Sequence, residues 1–335
     1  MDITLNKRIL EGITQLLIDF NQSDDEASSE EGLFIIKSAN NALIDSSHVK
    51  NPRSLWKTLW YEGEISCLFS DANLGKSIYA VQIGASIAQT DRVLYFDFEL
   101  SEKQFQLRYT NDVTGSLYRF PDNLFRVEIN CNKLDPVSFE ENVIDEILQL
   151  SQKRNARILI IDNLTYLCSA MEKAEAAGTL MKELISMKKL YGLSILILAH
   201  TPKRPLWEAL NQNHLQGSKR LYNMFDSCFA IGQSAKNEDL RYIKELKVRW
   251  GRKTYGENNV IVARIEKTDN FLHFVDEGTA NEREHLRESN EPMRDEIAKS
   301  IVQLKSEGMS YRKIAEKLNL KKSFVCNVFN EYKPK

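Results

Sequence analysis

Residues 70 to 78 read Ser70-Asp71-Ala72-Asn73-Leu74-Gly75-Lys76-Ser77-Ile78, a short loop that ends in a glycine, a lysine and a hydroxyl. It follows the apolar run ISCLF (65–69) and leads into SIYAVQIGASIA, so the pattern predicts a strand, a tight loop and a helix start. That setting binds phosphate. Main-chain N–H groups at a helix start point at the anion, Lys76 adds positive charge for the β- and γ-phosphates, and the Ser77 hydroxyl can ligate Mg²⁺. Ser70 stands where such loops usually carry their first glycine.

Two further places put carboxylates at strand ends, where open α/β sheets bind ligands. RILIID (157–162) ends in Asp162, placed to hold the magnesium opposite Ser77. VLYFDFELSEKQ carries Asp97 and Glu99, either of which can orient and deprotonate a water attacking a γ-phosphate. Glu99 is preferred, although an extended strand would send both side chains the same way. Ser101 and Gln104 are spaced as a capping box for the following helix.

These groups need a scaffold that brings several strand ends together. The runs ISCLF (65–69), VLYFDF (93–98), FRVEI (125–129), RILIID (157–162) and SILILA (194–199) predict buried strands, with helices near 76–89, 101–110, 136–154 and 173–190 between them. Near-continuous apolar strands alternating with helices predict an α/β fold whose mostly parallel sheet is covered on both faces. After Asp226 the texture changes to a run of antiparallel strands that extends the sheet. Residues 1–59 are expected to form an amino-terminal helix (5–20) and linker, 60–280 the main domain, 281–291 a linker, and 292–335 a small all-helical domain.

The 335 residues, 42% hydrophobic and 27% charged with 7 prolines, exclude a mostly disordered, collagenous or coiled-coil chain. The formal charge of −2 hides an asymmetry: residues 293–335 hold ten Lys or Arg against five Asp or Glu, which leaves −7 for the remainder. That basic end is the expected nucleic-acid contact. The five cysteines lie far apart without metal-ligand spacing and read as reduced core residues. Lacking a signal-peptide core or a long apolar span, the chain is expected to be cytoplasmic.

Taken together, residues 60–275 resemble the RecA-like ATPases, in the branch of the DnaB-type replicative helicases and the plasmid RepA helicases. The resemblance rests on the phosphate loop, Glu99 after the second strand, IIDNLTYL around Asp162, LQGSKRLYNMFD (215–226), and Lys247-Val248-Arg249-Trp250-Gly251. The last matches the K-x-R-x-G arrangement that presents a lysine and an arginine to the ATP of an adjacent subunit. The resemblance therefore implies ATP and Mg²⁺ bound between the subunits of a homo-oligomer, a hexameric ring being one form. Arg249 is the expected finger, Lys247 its partner and Arg252 the substitute. Ala199-His200-Thr201 follows the fifth strand, similar to the plasmid helicases, with His200 as a γ-phosphate sensor. Loops at 202–216 line the central channel in such proteins, so Lys203, Arg204 and Asn211 are expected on single-stranded DNA phosphates and Trp207 stacked on bases.

At the carboxyl end, EGMSYRKIAEKLNLKKSFVCNVF resembles the resolvase-like helix-turn-helix domains. Ser310 caps a first helix, Ala315 sits where helices cross, and Lys321, Lys322, Ser323 and Asn327 face outward towards duplex DNA. Two functions stay open: a helicase or translocase of a plasmid or mobile element, and an ATP-switched DNA-binding regulator or partner loader without unwinding activity.

Overall fold

The computed structural model describes residues 34–133, 139–167, 174–201, 206–215, 219–287, 291–318 and 320–332. The chain divides into a unit ending at Pro52 and a second running from Arg53 to Lys335. In the first, helix α1 (Ala39–Ser47) is capped by Ser38, whose hydroxyl accepts the Asn41 N–H at 3.1 Å, and buries none of its residues. The expected helix over 5–20 lies outside the described residues.

The second unit opens with a hairpin, β1 (Ser54–Trp56) and β2 (Trp60–Tyr61). Residues 54–59 were expected in the linker; instead Leu55, Leu59 and Trp60 are buried, and the Trp56 indole donates to the Tyr79 hydroxyl at 2.8 Å. The two tryptophans and two leucines have a helix face to cover, and that draws the hairpin into the core.

Among the described residues a nine-stranded sheet follows, in the order β11-β10-β9-β8-β3-β7-β6-β4-β5. Its parallel part comprises β3 (Ile65–Ser70), β4 (Val93–Asp97), β5 (Leu124–Val127), β6 (Ile158–Asp162), β7 (Ser194–His200) and β8 (Ser227–Gln233). β9 (Leu240–Lys247), β10 (Val260–Thr268) and β11 (Phe271–Ala280) extend it antiparallel, whereas β8, expected to begin that antiparallel run, pairs parallel with β3. β3 and β6 are buried along their whole length, which is why their sequences are apolar at every step rather than at alternate ones. β5 sits at the edge, is half-buried, and ends at Val127, short of the expected residue 129.

Each face has its own core. α2 (Lys76–Ile87) covers one, burying Tyr79, Ala80, Val81 and Ile83 against Leu68, Ile160, Leu196 and Leu198. The other is covered by α4 (Phe139–Arg154), α6 (Ala174–Tyr191) and α7 (Lys219–Met224) through Ile147, Met181, Leu184 and Leu221. Two short helices, α3 (Glu102–Arg108) and α5 (Leu164–Leu167), follow β4 and β6. The expected capping box of α3 is present, with the Ser101 hydroxyl and the Gln104 side chain each bonded to the other's backbone. α2 is also stitched to the outermost strand: Gln82 donates to the Phe274 carbonyl and accepts its N–H, both at 2.9 Å.

Residues 281–287 were expected to be linker, and they are packed. Asn281 caps a 3-10 turn over Glu282–His285, Glu282 is buried against Lys244 and accepts the Leu210 N–H at 2.8 Å, and His285 bonds Ser234. A buried carboxylate needs its own cation and donor, and here it has both. The carboxyl end forms α8 (Glu291–Ser306), α9 (Tyr311–Lys317) and α10 (Lys322–Tyr332) around Ala298, Ile301, Leu304, Ile314, Ala315, Val325 and Val328. Gly308, with φ of +87°, takes the left-handed turn after α8, and Ser310 caps α9 through the Lys313 N–H. Of the cysteines, Cys67 and Cys228 are buried, but Cys131 is exposed on a turn, and the expectation of a core residue fails there. Among the described residues no helix is long and apolar enough to cross a membrane.

Leu196 is fully buried at the centre of β7. Leu196→Ala is expected to cost about 2–5 kcal/mol, read as a lower denaturation midpoint at unchanged slope.

Candidate functional site

The central strand β3 delivers its last residue, Ser70, fully buried, to the edge where the parallel strands end. The chain then turns through Asp71, Ala72, Asn73 and Leu74 to Gly75, with φ of +63° at Asn73 and +92° at Gly75. Only glycine suits position 75: besides the left-handed backbone, a Cβ there would come within 2.7 Å of Ile265 and 3.0 Å of Phe274. Gly75 occupies the N-cap of α2 without a side-chain cap, so the amide groups of the first turn, including Ser77 and Ile78, have no helical partner. The Thr201 hydroxyl bonds Asp71, and its N–H bonds the Ser70 carbonyl at 3.1 Å, pinning the loop to the end of β7.

Lys76 is buried and its amine lies over the loop, 3.2 Å from the Ser70 carbonyl and 3.2 Å from Nδ1 of His200. Burial pulls its pKa down, opposed by Asp162, Glu99 and Asp71. With Lys76 donating to Nδ1, the other ring nitrogen of His200 carries the hydrogen and faces Glu99 Oε1 at 3.2 Å. Asn163 donates to the same carboxylate oxygen. Glu99 is held below the usual carboxylate range, first by the His200 hydrogen bond.

Asp97 and Glu99 do not share a pleat direction. β4 stops at Asp97, the Phe98 N–H bonds the Asp162 carbonyl at 2.9 Å, and the chain bends over the end of β6. Asp97 is buried and fully occupied: one oxygen pairs with Arg126 at 2.8 Å while the other accepts the N–H groups of Glu99 and Leu100. Glu99 stays partly exposed and faces the loop's lysine through His200.

Asp162 is buried at the end of β6. One oxygen accepts the Tyr95 hydroxyl at 2.8 Å and Ser77 lies near the carboxyl, while Oδ1 has no partner among the described residues. Burial pushes its pKa up to about 6. An unsatisfied carboxylate oxygen beside a serine hydroxyl suits Mg²⁺, which takes few protein ligands and completes its shell with phosphate oxygens and water. Sequence reasoning missed Asn163, Tyr95, Arg126 and Thr201; Asn163 and Thr201 each adjoin a singled-out residue at a strand end, and that adjacency was the available signal.

The other expected residues lie elsewhere. Lys247 pairs with Cys228 at the far end of β8, and its amine donates to the carbonyls of Tyr222, Asn223 and Phe225 at 3.3, 2.8 and 2.6 Å. That is the C-terminal end of α7, which attracts a cation. Arg249 has a 64% exposed side chain, one nitrogen of which lies 2.8 Å from Asp226 Oδ1. Arg252 is exposed. Trp207 is 45% exposed; Asn211 instead caps a local turn through the Asn213 N–H, and Lys203 and Arg204 lie outside the described residues. Lys321, Lys322, Ser323 and Asn327 are all exposed around the first turns of α10. A cleft of about 660 Å³ between Leu210–Asn213 and Lys253–Asn259 contains none of the phosphate-loop residues.

Residues 38–205, half of the chain, match the family described as the AAA domain. The chain belongs to that family. The AAA domain spans every element from α1 to β7, including the loop, Glu99, Asp162 and His200, and stops before β8. With its loop, strand-end carboxylates and mostly parallel sheet, it is an AAA-type ATPase domain. No curated protein matches the chain. Among solved structures, the chain is similar to a KaiC-like protein of the hyperthermophilic archaeon Pyrococcus horikoshii at 14% identity and a TM-score of 0.45, over 64% of this chain and 91% of that one.

The native Asp162 carboxyl keeps its proton to about pH 6, whereas the ordinary value is 3.8. Its contribution to stability is thus complete below pH 3.8 and declines as pH rises through 6. Without nucleotide or metal, Asp162→Asn is expected to raise the melting temperature at pH 7–8, where the wild-type carboxyl is charged and buried. The same variant should lose the magnesium dependence of nucleotide binding. A lower melting temperature would contradict the burial argument.

Proposed function

We infer that the chain is a DNA-associated ATPase that hydrolyses ATP at interfaces between its own copies, a helicase- or translocase-like protein of a plasmid or other mobile element. The ATPase chemistry draws on residues that meet at one sheet edge. The loop amides and Lys76 bind the phosphates, and Ser77 with Asp162 would hold Mg²⁺, which would supply neutralising positive charge to the phosphate. Glu99 accepts a proton as water attacks phosphorus; the bond from phosphorus to the bridging oxygen breaks and ADP leaves with the electron pair. His200 touches both Lys76 and Glu99, so it registers whether the lysine has moved onto phosphate.

One observation carries the assembly. Arg249 lies at the Ile65 end of β3, where the Ile65 N–H donates to the Asp226 carboxylate that Arg249 pairs with, whereas the phosphate loop leaves the Ser70 end. Five residues of strand separate those ends by roughly 16 Å. An arginine that far from its own loop serves a phosphate only on another copy, where it stabilises charge developing in the transition state.

DNA association is supported by the compact helices α8–α10, the +5 charge of residues 293–335, and the exposed Lys321, Lys322, Ser323 and Asn327. These features equally suit the second reading, a DNA-binding regulator or loader switched by ATP. ATP-driven strand separation distinguishes the two, since only a motor performs it.

Arg249→Ala should bind nucleotide normally and hydrolyse it on the order of 10³-fold more slowly. Mixed with Lys76→Ala, it should regain activity through interfaces that pair one intact site with one intact arginine. No recovery at any ratio would remove the assembly reading.

Deleting residues 292–335 should leave basal ATPase unchanged and weaken duplex DNA binding. If the module neutralises about four phosphates, its log–log salt slope is roughly −3.6, and truncation should flatten the measured slope accordingly. Unchanged affinity and slope would reassign the module to a protein partner.

A further inference from the structure

The surroundings of Arg249 extend the trans-arginine reading, on which the following rests. Asp226 is buried immediately before β8 and spends both oxygens on three different elements. Oδ2 accepts the Ile65 N–H at 2.8 Å, at the start of β3, and the Lys188 amine at 2.7 Å, near the end of α6. Oδ1 takes one guanidinium nitrogen of Arg249 at 2.8 Å. Glu64 is buried nearby, accepts the Ser227 hydroxyl at 2.9 Å and lies within the field of both Asp226 and Lys188. A second clamp lies alongside: Lys247, two residues before Arg249, grips the carbonyl of Phe225, one residue before Asp226.

A free arginine samples many rotamers and loses much side-chain freedom when fixed. Arg249 is held at one end only, with most of its side chain exposed, so donors remain for a phosphate while the direction is already set. We propose that Asp226 is the positioning residue for Arg249, fixing the exposed guanidinium in the orientation in which it is offered to the neighbouring copy. Because the same carboxylate anchors the first residue of β3, the strand that carries the chain's own phosphate loop also carries the support of the arginine it lends.

The test uses the full-length chain. Asp226→Asn keeps an oxygen for the Ile65 N–H and loses the charge that orients Arg249. kcat should fall about 10²-fold, the scale of a misplaced catalytic group, with KM for ATP and nucleotide affinity unchanged. Mixing with Lys76→Ala should restore activity, because that partner supplies a properly held arginine to an intact site. In an Arg249→Ala background, Asp226→Asn should lower kcat no further. Should Asp226→Asn fold poorly, Lys188→Met with Asp226→Asn removes both buried charges together and is assayed the same way.

Normal turnover in Asp226→Asn beside a defective Arg249→Ala overturns the proposal and leaves the trans arginine standing. Normal turnover in both removes the trans arginine itself. A loss that mixing does not restore, or that adds to the loss in Arg249→Ala, assigns Asp226 a purely structural role and likewise overturns the proposal.

Discussion

A lysine taken out of water at the end of the central strand dictates much of what surrounds it. Lys76 is buried and its charge is disfavoured there, so the site must supply opposite charge and acceptors or lose the cation. Four strand ends answer: β3 with its terminal carbonyl, β7 with His200, and the ends of β4 and β6 with Glu99 and Asp162. A parallel sheet is the fold that gathers several chain segments at one edge, and this one does so with β7 between the loop strand and the strand of Asp162. Asp162 bears the opposite burden. Its charge is also disfavoured by burial, and an oxygen without a partner keeps the site primed for a cation at a cost to the resting fold.

Most of the parallel half was legible in the sequence because its central strands β3, β6 and β7 are apolar along nearly their whole length and the carboxylates follow strand ends. Glu99, Asp162 and Lys76 could be listed from their spacing and His200 from the family resemblance, and the structure brings all four within one network. What spacing left ambiguous was the choice between Asp97 and Glu99. Two residues apart along an ideal strand implies a common face; the chain leaves the strand at Asp97, because that carboxylate is consumed by Arg126 and by the two amides that follow it. Arg126 comes from β5, far along the chain, and no local pattern announces it.

The same limit explains the other errors. Residues 54–59 and 281–287 looked like linkers because they are short or polar, and both are packed through long-range partners: Trp56 on Tyr79, Glu282 on Lys244. Arg249 was expected as the finger and Lys247 as its partner; in the fold Lys247 grips the end of α7 while Arg249 reaches outward. Periodicity reports which face of an element is covered, whereas charge pairing across the sheet depends on register.

The side chain of Gln82 has a consequence of a different kind. Its amide presents a donor and an acceptor to Phe274 as a peptide unit of a neighbouring strand would, and β11 is the last strand on that side. The open rung of the sheet is already filled by a side chain that cannot propagate the ladder. Growth of the sheet from chain to chain, the usual hazard of a long antiparallel edge, is blocked at this rung for as long as α2 stays folded.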